Sequence, residues 1–231
     1  MPALGQAHST SLLADLNSPI QFGTSGWRGL IARDFTFENL RLAAQGLAVS
    51  LKAELRRKKS AIHGKRPLVI IGHDTRFLGR EFALATAEVL QRAGLEPLLT
   101  NRDAPTPVIA FSIRHKKAIG GVNITASHNP FGYSGFKFSM PNGAGAPPEF
   151  TGKIEAHAAK LLVKGWQPKT AVVGTFQCKE FDPAPAYLNR IRKLIDLKAI
   201  SKAKLRIAVE LMHGTGRGYL DTLLELSLIH I

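Results

Sequence analysis

The sequence predicts an α/β protein: a mostly parallel mixed sheet with helices on both faces, an α/β/α sandwich, followed by the start of a second, similar domain. Three observations carry that prediction. From Leu68 onward, short apolar runs of strand length alternate with longer segments of helical period. Leu68-Val69-Ile70-Ile71 is apolar without alternation, as in a strand covered on both faces. A strand, a turn with an arginine, and a helix occur at 68–90 and recur from Arg206 onward.

Residues 1–19 are polar and mixed, and read as a loose N-terminal extension. Phe22-Gly23-Thr24-Ser25-Gly26-Trp27-Arg28-Gly29 reads as a loop whose backbone can approach a ligand closely. Residues 36–59 read as a helix with Thr36 as N-cap and Leu40, Ala43, Ala44, Leu47, Leu51 and Leu55 on one face. His63-Gly64-Lys65-Arg66-Pro67 breaks it, and the strand at 68–71 follows. That strand ends in Gly72-His73-Asp74-Thr75-Arg76, at the end where α/β sheets place ligands; Asp74 and Arg76 are expected to fix local structure. Residues 80–93 form the next helix with Gly94 as its stop, 95–100 a strand, and Pro105 opens a helix running to about Arg114. Ala118 to Thr125 is a strand, and Gly135 to Met140 alternates Phe136 and Phe138 with polar residues. Residues 149–162 read as a helix, 165–182 as an irregular connection, and 184–197 as a helix. Arg206 to Met212 reads as a strand before His213-Gly214-Thr215-Gly216-Arg217-Gly218 and a helical start at Tyr219. The resulting division is an extension at 1–19, a first domain at 20–163, a connection at 164–183, and the start of a second domain at 184–231.

Hydrophobic content of 45% and charged content of 21% are ordinary for a folded soluble chain of 231 residues. The apolar runs are too short to span a membrane, and no secretory leader is visible at the start. One cysteine, Cys178, makes no internal disulfide and suits a reducing cytoplasm. The net charge of +14 attracts phosphates. Its densest run, Arg56-Arg57-Lys58-Lys59, ends a helix, where cations oppose the helix dipole. Aromatic residues do not interleave with it, so a nucleic-acid partner is not expected.

The chemistry is concentrated at 118–142. An apolar run stops at Ala126-Ser127-His128-Asn129-Pro130, where proline forbids a backbone donor and biases Asn129 away from helix. Ser127 therefore sits in a tight turn at a strand end, with His128 beside it and Lys137 ten residues on. Serine needs a neighbour to take its proton if it is a nucleophile. A phosphoserine instead needs cations or a metal around it. His128 and Lys137 suit either need.

The composite T-A-S-H-N-P followed by G-F-K resembles the phosphoserine loop of the phosphohexomutases, the phosphoglucomutase/phosphomannomutase family. F-G-T-S-G-W-R-G resembles the segment with which chains of that family begin. The resemblance covers roughly residues 20–225. It implies a transferable phosphoryl group on Ser127, whose phosphate also helps bind Mg²⁺, and proton transfer by Lys137. It implies phosphate contact by Arg28, with Asn129 beside it, while His128 orients the loop or screens the phosphate. Hexose phosphate is the implied substrate and a hexose 1,6-bisphosphate the activator. His213 and Arg217 are further candidates for phosphate contact. The weak internal repeat matches the family, whose first three domains share one α/β/α plan.

The family's Mg²⁺ loop, D-G-D-G-D-R, and its sugar-reading loop do not occur in the sequence. The chain is therefore expected to be the N-terminal part of a longer protein, catalytically incomplete by itself, with the origin of its last residues and the choice of sugar open. Two other classes are weighed. An α/β serine hydrolase needs a G-x-S-x-G elbow, and T-A-S-H-N lacks the flanking glycines. A basic nucleic-acid-binding module needs a clustered basic face.

Overall fold

The computed structural model describes residues 20–57, 66–168, 176–203 and 205–227. The extension at 1–19, the helix end at Lys58 and Lys59, the breaker at 63–65 and the last residues, 228–231, lie outside the described residues.

The elements are β1 (Trp27–Leu30), α1 (Phe37–Arg57), β2 (Leu68–His73), α2 (Gly79–Arg92), β3 (Glu96–Thr100), α3 (Thr106–His115) and β4 (Gly121–Ile124). Then come β5 (Tyr133–Ser139), α4 (Pro148–Val163), β6 (Lys179–Phe181), α5 (Ala184–Arg192), α6 (Leu197–Lys202) and α7 (Leu220–Ser227). The six strands form one sheet in the order β1-β5-β4-β2-β3-β6. β2 runs parallel to β3 and β4, and β3 runs parallel to β6, while β5 is antiparallel to both β1 and β4. The sheet is the mostly parallel, mixed one the sequence predicts.

Both faces are covered. Val69 and Ile71 of β2 join the core made with α1, α2 and α4, whereas Ile70 between them joins Val108, Ile109 and Ile113 of α3 and Leu188 of α5. This is why 68–71 shows no polar alternation: successive side chains enter opposite, equally dry cores. Helix α1 starts as expected, with Thr36 Oγ1 accepting the Asn39 backbone N–H at 3.2 Å. It crosses α4 closely at Gly46, where a Cβ would stand 2.7 Å from the Ile154 carbonyl oxygen.

At that crossing Ser50 Oγ lies 3.0 Å from His157 Nδ1. Burial, reinforced by the charge of Lys160, holds the His157 imidazole below its ordinary value of 6.5. The folded state therefore resists a proton that the unfolded state accepts. This contribution to stability is complete above about 6.5 and is lost as pH falls from there towards the folded value. Urea midpoints should drop between pH 7.5 and 5.5, and His157→Gln should show a smaller drop. An equal drop in both proteins would contradict this.

Three expectations are corrected. The connection at 165–182 contains β6, which adds to the sheet through Lys179-Glu180-Phe181 beside Leu98-Leu99-Thr100. The helix expected over 184–197 ends at Arg192, and a new one starts at Leu197, where Asp196 Oδ1 accepts the Ala199 N–H at 3.0 Å. Asp196 competes for the backbone as a cap and breaks the run. The strand expected at 206–212 is irregular, with Ile207 and Val209 about two-fifths exposed (39% and 40%). A strand needs a neighbour for its ladder, and no described strand pairs with this segment.

Candidate active site

β4 delivers the chain to the carboxyl end of the sheet, and Thr125-Ala126 carries it to Ser127. Ser127 has φ 61°, in the left-handed region that costs an L-residue roughly 1–2 kcal/mol. Such backbone persists only where its surroundings fix it. Locally, Ser127 N–H donates to Thr125 Oγ1 at 3.1 Å and Asn129 N–H donates to the Ala126 carbonyl at 3.2 Å.

The larger constraint comes from Arg76, after β2. Its Nε donates to Asp74 Oδ2 at 3.0 Å. Its Nη1 donates to the carbonyls of Pro130 and Tyr133 at 2.8 and 3.1 Å. Its Nη2 donates to the carbonyls of Ser127 and Asn129 at 2.9 and 2.8 Å. These bonds use all five N–H donors of a guanidinium. Asp74 is itself held, since its Oδ1 accepts the Arg76 backbone N–H at 3.0 Å and its own N–H donates to the Ile124 carbonyl at 3.0 Å. The pair is mostly buried, at 13% and 14% side-chain exposure. Asp74 and Arg76 thus fix local structure, and the structure they fix is the serine loop.

Ser127 and His128 are exposed above this base. Ser127 Oγ lies 3.5 Å from His128 Nδ1, too long for a strong hydrogen bond. Arg28 reaches the loop from β1, with Nη1 donating to Asn129 Oδ1 at 2.9 Å. β1, unread in the sequence, approaches β5 closely at two glycines. A Cβ on Gly135 would meet the Thr125 and Trp27 carbonyl oxygens at 2.6 and 2.9 Å, and one on Gly26 (φ 99°) would meet Lys137 Cγ at 2.7 Å.

Lys137, on β5, is half-buried. Burial, with the charge of Arg28, lowers its pKa from the ordinary value of 10.5; Asp74 opposes the shift and Arg76 adds to it. It lines a cavity of about 180 Å³ with Thr24, Ser25, Thr106 and Asn123. Ser127, His128 and Asn129 line a wider, adjacent cleft of about 770 Å³ with Asp74, Thr125, Phe131, Gly214 and Thr215. Thr106, at the start of α3, lines both. Arg28, on β1, thus touches the serine loop at Asn129, while Lys137, on the paired strand β5, lines the adjoining cavity.

His213 and Arg217 lie in the exposed loop before α7. Arg217 donates to Asp103 Oδ1 at 3.4 Å and to the Gly214 carbonyl at 3.1 Å, while its own carbonyl accepts Arg102 Nη2 at 2.7 Å. Arg217 is thus bound to protein groups at the end of β3, and Gly214 and Thr215, not His213, face the serine cleft. Tyr219 anchors the same loop. Burial pushes its phenol up to about 12, with the Arg102 guanidinium over its ring acting against the shift. The hydroxyl of Thr106, at the start of α3, escaped sequence reasoning because a single threonine at a helix start carries no pattern of its own; Thr125 stood inside the serine motif but was given no role.

A sequence profile of the phosphoglucomutase/phosphomannomutase α/β/α domain I matches residues 19–163. The chain is 32% identical over 211 residues to a phosphoglucomutase/phosphomannomutase of Thermococcus kodakarensis, covering 88% of this chain and 42% of that protein. It is 32% identical over 193 residues to a phosphoglucosamine mutase of Delftia acidovorans, covering 84% of this chain and 40% of that protein. A crystal structure of a putative phosphomannomutase from Thermus thermophilus superposes with a TM-score of 0.75 at 36% identity, covering 90% of this chain and 43% of that one. The chain thus spans about two-fifths of the length of these curated relatives. The profile match takes in strands β1 to β5, the serine loop and the arginine that clasps it, and on that ground the chain belongs to the phosphoglucomutase/phosphomannomutase family.

Proposed function

We propose that this chain contributes the phosphoserine domain of an enzyme interconverting hexose 1-phosphates and hexose 6-phosphates through a bisphosphate. The supporting observation is an exposed serine in left-handed backbone, on a loop whose carbonyls take four donors of an arginine that gives its fifth to Asp74. That arrangement favours a fixed group on which phosphate is carried, because positioning supplies much of the rate in phosphoryl transfer. The long Ser127–His128 separation argues against a serine activated by its neighbour.

In the proposed reaction the Ser127 Oγ–P bond breaks as a sugar hydroxyl oxygen forms a bond to the same phosphorus. Lys137, with its depressed pKa, accepts the hydroxyl proton. The resulting hexose 1,6-bisphosphate returns its other phosphoryl group to Ser127, and Lys137 gives the proton back to the departing oxygen. Arg28 balances phosphate charge beside Asn129. The resemblance also implies Mg²⁺. Asp74 is the one carboxylate lining the cleft among the described residues, and both its oxygens are committed to Arg76. These residues by themselves do not make a magnesium site, and no step here is routed through the metal.

The test is to incubate the chain for hours with a hexose 1,6-bisphosphate and map incorporated phosphate by mass spectrometry. Phosphate on Ser127 is expected, with slow single transfer rather than sustained turnover. Phosphate on another residue, or none, would overturn the assignment.

A further inference from the structure

The cavity beside the serine cleft contains an acceptor with no donor. Asn123 on β4 stands directly across from Lys137 on β5, so the two side chains leave the sheet on the same face as neighbours. Asn123 Nδ2 donates to Thr106 Oγ1 at 3.1 Å, which fixes the direction of the amide. Its Oδ1 is buried and has no hydrogen-bond partner among the described residues, in a side chain only 5% exposed. Buried amide carbonyls are nearly always paired. The surroundings behind Oδ1 offer nothing: a Cβ on Gly72 would stand 3.7 Å away, and the same spot is crowded by apolar Ile109. Among the residues lining the cavity, Lys137, directly across the ladder from Asn123, carries the one cationic donor; the others offer hydroxyls and backbone N–H groups.

We propose that Asn123 is a positioning residue for Lys137, its carbonyl oxygen accepting a hydrogen bond from the lysine amine and holding it beside Thr106, where the cavity meets the serine cleft. This rests on the reading of Lys137 as the proton-transfer group. The residue type matters. An amide oxygen accepts from an ammonium and, more weakly, from a neutral amine, so it can orient the lysine in both protonation states. A carboxylate at this position would hold the lysine charged. The charges facing Lys137 are Arg28 from β1 and Asp74 and Arg76 from the β2–α2 connection. α3 and the 24–26 and 143–146 loops present only neutral groups to the cavity. Asn123 therefore places an acceptor against the lysine without adding a negative charge.

The experiment is competitive acetylation with acetic anhydride between pH 7 and 11, read lysine by lysine by mass spectrometry. Lys179 on β6 serves as an internal control, and circular dichroism checks the fold. Asn123→Asp is expected to raise the midpoint for Lys137 by about one pH unit or more. Asn123→Leu, neutral and of similar size, is expected to raise Lys137 reactivity above the midpoint at least about threefold, as the amine loses its anchor. Profiles for Lys137 unchanged in both variants would overturn the proposal. If Asn123→Asp does not fold, unchanged reactivity in Asn123→Leu overturns it alone. Neither readout needs phosphoryl transfer, so a failure of the mutase reading would show separately, in the phosphate map.

Discussion

Ser127→Gly should take up no phosphate from a hexose 1,6-bisphosphate and should at the same time be the more stable protein. The two effects share one cause. At φ 61° a residue with a Cβ is strained and glycine is not, so the substitution relieves about 1 kcal/mol. The hydroxyl it removes is exposed and makes no strong hydrogen bond, its neighbour His128 Nδ1 being 3.5 Å away. Little native stabilisation is lost with it. The urea midpoint should therefore rise while incorporated phosphate falls to background. Ser127→Ala should match it in phosphate uptake without the gain in stability. A glycine variant less stable than wild type would show that the serine hydroxyl carries structure, and would weaken the case for a group kept for chemistry.

The second large effect is expected from Arg76→Met. Methionine keeps an unbranched apolar stem but removes five donors. Four carbonyl oxygens of the loop and the Asp74 carboxylate lose their partner, and Asp74 remains mostly buried with its charge uncompensated. Breaking such a pair from one side costs about 3–5 kcal/mol. The loop can open locally to water, so a global loss of about 2–4 kcal/mol in urea unfolding is expected. Phosphate uptake at Ser127 should fall by roughly 100-fold, the scale of a 1 Å misplacement of a reacting group. Arg76→Lys should recover little, because an ammonium has three donors and no planar fork. Hydrogen exchange should locate the damage in amides 125–133. Faster exchange spread evenly over the sheet would instead mean that Arg76 holds the domain and not the loop in particular.

The sequence revealed those parts of the fold whose signals are local. Helix α1 shows its N-cap and its apolar face, α2 its stop at Gly94, and β2 its unbroken apolar run. β1 was hidden because Trp27-Arg28-Gly29-Leu30 is short and continues a glycine-containing loop; it is a strand only because β5 lies against it. β6 was hidden for the same reason, being three residues with two charges, paired at the sheet edge. The segment at 206–212 failed in the opposite direction: it has the composition of a strand, but composition supplies no neighbour. At the site, Ser127, His128, Asn129 and Lys137 could be named from one stretch of sequence, and Arg28 from a second. The service of Arg76 to four loop carbonyls could not be seen, because carbonyls are common to every residue and leave no trace in the sequence.

The pairing of β1 with β5 has a consequence for synthesis. Trp27 finds its partner at Phe136, roughly a hundred residues later in the chain. A ribosome adding roughly 5–20 residues per second needs on the order of 5–20 s to make that interval. Throughout it, α1, β2, α2 and β3 can assemble from near neighbours, while Trp27 has no strand to lie against. Contacts of such long sequence separation close late and slowly. Arg28 therefore cannot approach the serine loop until most of the first unit has been made. The nascent chain carries an unpaired, aromatic-bearing amino-terminal segment for those seconds, and this is the stage at which it is most exposed to mispairing and to capture by chaperones.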